Sequence, residues 1–295
     1  MAAKDVLRGG RVSIARTQSL LKFFLLTFAL AWGAWGVAIA IWSSAVSILR
    51  WPVFLVGVFA PAIVALAFTA RTGGRAGVSA LLGRIGRWRV GLGWYLFAAG
   101  CMAGIKLAAA LLHRLLTGAW PRFGETSWLM ALAIVPSIWV QAGEEVGWRG
   151  HALPGLAARM GLARASVLLG VIWAAWHLPL FFWPQSDTYG QSFPVYLLQV
   201  TALSVAMAWL YWRTGGSLLL VMLMHAAVNN TKDIVPSAVP GATDPFSLHS
   251  SLVAWLSVGL LWVLATYLLF QMRAAELDSP RGEQAEPLRD SGTGM

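Results

Sequence analysis

Continuous apolar runs separated by short polar stretches recur along the whole chain. A helix needs about 20 apolar residues to cross a bilayer. On that measure the pattern predicts eight spanning helices, at about 20–42, 52–70, 92–112, 127–147, 165–183, 194–212, 217–233 and 251–271. The runs are unbroken rather than alternating, which argues against membrane strands. No internal repeat is evident. Between the second and third runs, Ala76–Val90 has a different pattern. Leu81, Leu82, Ile85 and Trp88 share one helical face while Arg84 and Arg87 lie off it. This predicts an amphipathic helix lying on an anionic leaflet, with an ordinary basic loop as the alternative.

The polar stretches carry the topology. The N-terminal segment, the second, fourth and sixth loops and the C-terminal segment hold 17 of the 22 lysines and arginines. The opposite loops hold only four, Arg50, Arg114, Arg122 and Lys232, and Lys106 lies inside a run. The positive-inside rule then places both termini in the cytoplasm, which needs an even number of spans. Eight satisfies it. Trp51, Trp94, Trp120, Trp128, Trp148, Trp183 and Trp212 fall near the expected span ends, where aromatic belts form.

Composition agrees with this class. Of 295 residues, 58% are hydrophobic and 12% are charged. A soluble domain carries about 25% charged residues. The expectation is an all-α, multi-pass protein of the cell membrane. It has a cytoplasmic segment at 1–19, a membrane domain at 20–272 and a disordered cytoplasmic tail at 273–295. The net charge of +10 is read as topology, not as a nucleic-acid footprint. The single cysteine, Cys101, excludes an internal disulfide. The first run exceeds a signal h-region of about 7–15 residues, so it is read as a retained helix.

Against this background Gln141–Gly150, QAGEEVGWRG, stands out. Glu144 and Glu145 are the two acids placed well inside an apolar run. A carboxylate at that depth is costly and marks a functional site by default. Arg149 lies four residues beyond Glu145, the spacing of a helical ion pair, and the two are read as a pair anchoring the helix end near the cytoplasm. Adjacent helical positions point about 100° apart, which leaves Glu144 free to face the bundle interior. His177 lies within the fifth run, with Trp173 one turn before it and Pro179 just after. A proline there breaks the backbone pairing, as is tolerated beside a polar cavity. His225 and Asn229 share a face of the seventh helix. Each has a plainer reading, as a hydrogen-bonded core residue or interhelical glue. His113, His151 and His249 fall at edges or in loops and are assigned no chemistry.

Three motifs in this order, Glu-Glu-x-x-x-Arg (Glu144, Glu145, Arg149), aromatic-x-x-x-His (Trp173, His177) and His-x-x-x-Asn (His225, Asn229), resemble the CPBP family. These are the CAAX-protease and bacteriocin-processing, or ABI, intramembrane endopeptidases, related to the type II CAAX prenyl endopeptidase. The resemblance covers about 128–230. Its one departure is Trp173, where the family usually has Phe. It implies eight helices and peptide-bond hydrolysis in a cavity open to the cytoplasm. In prenyl-processing members a C-terminal tripeptide is removed after a lipidated cysteine, so the expected partner is a peptide or protein substrate, lipidated in such cases.

Two mechanisms remain open. Glu144 and His177 activate a water while His225 and Asn229 stabilise the oxyanion. Alternatively Glu144, His177 and His225 ligate zinc. The family is labelled a metalloprotease, but HExxH is absent, and spending Glu144 as a ligand leaves no obvious base. The metal-free version is therefore preferred, with Glu145, Arg149 and Trp173 as structural support. Two other functions stay in view: a non-proteolytic membrane partner in self-immunity or protein stability, and a proton-coupled transporter.

Overall fold

The computed structural model describes residues 2–43, 46–124, 128–231, 234–236 and 244–278. Among them there are helices and no strands. Each apolar run has become a helix: α1 (Ala2–Ala40), α2 (Arg50–Gly83), α3 (Leu92–Thr117), α4 (Trp128–Gly147), α6 (Leu162–Trp176), α7 (Phe193–Arg213), α8 (Leu218–Thr231) and α9 (Leu252–Asp278). A short α5 (Leu153–Met160) sits between α4 and α6. Among the described residues six helical stretches are long and apolar enough to cross a membrane, and α8 is a shorter apolar helix. The chain is an all-helical, polytopic membrane protein.

Buried and exposed apolar side chains show how it sits. Leu25, Val135, Trp139, Val263 and Phe270 are exposed at the protein surface. That is costly in water and ordinary against lipid tails. The middle of the bundle is α4, α6, α7 and α8. α4 packs on α2 and α8, α8 also packs on α3, and α7 packs on α6 and α9. The approach of α4 to α2 is close enough to require glycine: a Cβ on Gly147 would lie 2.5 Å from the Pro61 carbonyl carbon.

Besides α1, which begins at Ala2 rather than near 20, three boundaries differ from the apolar pattern. First, α2 overruns its apolar stretch to Gly83, bent at Gly74, whose φ of 59° suits glycine. The expected amphipathic segment is thus helical as far as Gly86, but its faces divide differently from the expectation. Leu81 is buried beside Gly150, while Leu82 and Trp88 are exposed. Arg84 turns inward, its Nη1 donating to the Gly150 carbonyl at 3.0 Å and the Tyr211 hydroxyl at 2.7 Å. Second, the fifth span ends as an α-helix at Trp176 and goes on as a 3-10 helix, Leu178–Phe182. Third, α9 runs to Asp278, past the expected start of the tail, because the Glu276 carboxylate accepts from the free N–H groups of Leu162 and Ala163 that open α6. The remainder of the expected tail, 279–295, lies outside the described residues.

Candidate active site

α4 delivers both glutamates to the bundle interior, and Glu145 is fully buried. Its two carboxylate oxygens take hydrogen bonds from Arg149 Nη1 at 2.8 and 3.0 Å. Oε1 also takes one from His225 Nδ1 at 2.8 Å. Both oxygens are thus engaged by cationic or N–H donors, which fits structural support rather than contact with a substrate water. Just beyond, Trp148–Ala152 forms a π-helical turn. Such wide turns often occur at functional sites, and Pro154, which has no N–H, leaves the Gly150 carbonyl to Arg84. The expected Glu145–Arg149 pair is therefore present. Arg149 is fully buried and its guanidinium carbon stands 4.2 Å from the Trp173 ring centroid.

Glu144 points to a different partner. Its Oε2 accepts from the Trp173 indole Nε1 at 2.7 Å. Among the described residues no hydrogen bond reaches its other oxygen. Here the departure from Phe acquires a chemical meaning: a phenyl ring has no N–H to give. The sequence reading gives Trp173 as structural support. It is also the point where the site converges, with its ring centroid 5.1 Å from that of His225 and 5.9 Å from that of His177.

Local sequence sets His177. Pro179 has no N–H and cannot continue α6. The backbone N–H of His177 therefore turns to the Ala174 carbonyl, at 3.1 Å. The Trp173 carbonyl is left to the imidazole, whose Nδ1 lies 2.9 Å away. A carbonyl oxygen can only accept, so Nδ1 carries a proton, and Nε2 takes no part in this bond. His225 is held by the same logic, with Nδ1 against the Glu145 carboxylate and Nε2 free of it. The two imidazoles are thus orientated by acceptors, one a backbone carbonyl and one a carboxylate.

Asn229 lies one turn beyond His225, exposed, and among the described residues no hydrogen bond joins it to the cluster. Asn230 turns away, donating to the Ala226 carbonyl at 2.8 Å. The structure therefore brings together Glu144, Glu145, Arg149, Trp173, His177 and His225, and leaves Asn229 at the edge. Sequence spacing missed two links, Trp173 to Glu144 and His225 to Glu145. The signal for the first was the substitution itself, since a buried indole N–H needs an acceptor.

The residues do not fit a zinc ion as they stand. Among the described residues no three His, Cys, Asp or Glu side chains are placed to hold one metal. One oxygen of Glu144 is already engaged by Trp173. No chemical step is derived through a metal below.

Comparison with known proteins converges on this region. Residues 126–231 match the family described as type II CAAX prenyl endopeptidase Rce1-like. A protein named CAAX prenyl protease 2 from Methanococcus maripaludis is 31% identical over 101 residues, which make up 31% of this chain and 36% of that protein. The match thus spans about a third of that relative's length. Glu144, Trp173, His177, His225 and Asn229 all fall inside the matched segment. Over this core, residues 126–231, the chain is thus similar to the Rce1-like family.

Proposed function

We propose that the protein is an intramembrane endopeptidase that hydrolyses peptide bonds of lipidated or membrane-associated substrates. The observation that carries this reading is the state of Glu144: one oxygen fixed by an indole N–H, the other unengaged, with two orientated imidazoles grouped around the same ring. A carboxylate held this way has a fixed direction and a free lone pair. It accepts a proton from a water that His177 Nε2 helps to align. The hydroxide adds to the scissile carbonyl, and the proton passes on to the leaving amine. Asn229, and His225 through Nε2 when both ring nitrogens carry a proton, donate to the oxygen on which charge develops. Glu145 and Arg149 hold His225 and take no part in proton transfer. A scaffold or transporter has no need of two imidazoles each locked in one orientation, which favours the enzyme. The basic end of the bundle, around Arg71, Arg75 and Arg89, is read as the face that meets anionic lipid, in the cell membrane. Arg84 and Arg87 contribute less, since both are tied to protein carbonyls.

Replacing Glu144 by Ala in cells tests the reading. Membrane peptides from variant and wild-type cells would be catalogued by mass spectrometry. A defined set of uncut precursors is expected to accumulate in the variant. Identical catalogues would remove the protease assignment.

The indole bond gives a second expected result. Trp173→Phe keeps the ring and loses the donor. A hydrogen bond to a charged group is worth about 1.5–3 kcal/mol, so a rate loss of roughly 10- to 100-fold is expected. The thermal midpoint should change little. A full-rate Trp173→Phe variant would reduce Trp173 to a wall.

A further inference from the structure

We infer that the Tyr196 hydroxyl is a further catalytic group of this site, donating a hydrogen bond to the substrate carbonyl oxygen as that oxygen takes on charge. Tyr196 lies in the first turn of α7, a helix that carries none of the three motifs. The inference rests on the endopeptidase reading and deepens it.

The packing of α7 on α6 sets its place. A Cβ on Gly170 would lie 2.7 Å from Thr201 Cα, and the Ser204 hydroxyl donates to the Ser166 carbonyl at 2.9 Å. Residue numbers thus fall along one helix as they rise along the other. That antiparallel register carries Tyr196 to the His177 end of α6. The turn that bears Tyr196 is fixed by its own cap. The Ser192 hydroxyl accepts from the Val195 N–H at 3.4 Å and donates to the Ser247 carbonyl at 2.6 Å. The Tyr196 N–H donates to the Ser192 carbonyl at 2.9 Å. The phenol ring then packs edge-on between two others, its centroid 5.6 Å from that of His177 and 5.1 Å from that of Phe181.

The hydroxyl is what sets this residue apart. The chain has five tyrosines. Tyr95 spends its hydroxyl on the Trp88 carbonyl, and Tyr211 takes a bond from Arg84. Tyr189 and Tyr267 are exposed. Tyr196 is partly buried, and among the described residues its hydroxyl makes no hydrogen bond. A tyrosine hydroxyl inside a bundle ordinarily has a partner, and one without it calls for an explanation. Two observations supply one. The ring rests against His177. Burial apart, the charges that act on the hydroxyl are Glu144 first and Asp187 second, and Glu144 acts on His177 as well. The hydroxyl therefore stands beside both the base and the imidazole that aligns the water, and is bonded to neither. Its hydrogen is available to the carbonyl those two groups attack. No proton changes hands. The phenol keeps its hydrogen, and the bond strengthens as the oxygen becomes anionic, which lowers the barrier rather than tightening the ground state. With Asn229 at the edge of the cluster, the oxyanion gains a donor from a fourth helix.

Tyr196→Phe removes the hydroxyl and keeps the ring, and Tyr196→Leu removes both. The probe is a precursor that accumulates in Glu144→Ala cells, cleaved by the purified full-length proteins in detergent. For Tyr196→Phe, kcat is expected to fall roughly 10²-fold, with KM and the thermal midpoint close to wild type. Tyr196→Leu should lose at least as much kcat per folded molecule. A Tyr196→Phe variant with wild-type kcat would overturn the inference, whether or not Tyr196→Leu is slow, since the ring alone would then matter. A rise in KM at unchanged kcat would overturn it too, by making the hydroxyl a ground-state contact. So would a lowered midpoint in Tyr196→Phe, which would show the hydroxyl bonded in the resting fold. Glu144→Gln in the same assay keeps the two readings apart. If it is slow while Tyr196→Phe is not, the endopeptidase stands and the role of Tyr196 falls. If Glu144→Gln cleaves at the wild-type rate, the site itself is misassigned and Tyr196 falls with it.

Discussion

Glu144→Gln is expected to cut the rate of peptide hydrolysis by about 10²–10⁴ while leaving the thermal midpoint close to wild type. The amide keeps the size of the side chain, and its oxygen can still accept from Trp173 Nε1, so the indole contact at 2.7 Å survives. What it loses is the ability to take a proton from water. Substitution of His225 or Asn229 acts later along the reaction. Each removes a donor to the developing oxyanion and should cost about 10²–10³ in rate with substrate binding little changed. The measurements are initial rates and unfolding midpoints of purified protein in detergent. Elemental analysis and exhaustive chelation accompany them. Activity that survives chelation in wild type and is lost in Glu144→Gln supports a glutamate base. One tightly held zinc per chain, lost with activity, would recast Glu144 as a ligand. An active Glu144→Gln variant would dismiss both versions.

The helices were legible because hydrocarbon imposes one rule: a backbone that cannot bond to water must bond within its own segment. Runs of apolar residues therefore became helices at the expected places, and Pro179 ended α6 where a missing N–H requires. The pairings inside a helix were legible too, since Glu145 to Arg149 is a four-residue spacing. Contacts between helices were not. Glu144 meets Trp173 across 29 residues and Glu145 meets His225 across 80, distances fixed by packing rather than by periodicity. The sequence offered hints without resolving them. A carboxylate has about four acceptor sites, so Arg149 alone left Glu145 with capacity for another donor. The π-helical turn at Trp148–Ala152 has no signature in the hydrophobic pattern at all.

The buried pair sets up the second large effect, and the structure gives it a sign. Glu145→Ala is expected to be the more damaging of the two truncations. It strands a guanidinium that is fully buried, and whose Nε and Nη2 already have no hydrogen-bond partner. Removing one partner of such a pair costs roughly 3–5 kcal/mol. Arg149→Ala leaves a carboxylate that still has His225, which can carry the compensating proton, so its loss should be smaller. The double variant should be less unstable than the sum of the singles, because neither charge is then left alone. Activity per folded molecule separates the roles further. Glu145→Ala also frees the His225 ring and should lower it, whereas Arg149→Ala keeps the ring in place and should largely preserve it. Thermal unfolding of the four proteins and their specific activities, normalised to folded material, give both readouts. If Arg149→Ala matches wild type in abundance and midpoint yet is inactive, Arg149 acts on the chemistry and its assignment as support is wrong. If Glu145→Ala is as stable as wild type, the buried carboxylate does not organise the site.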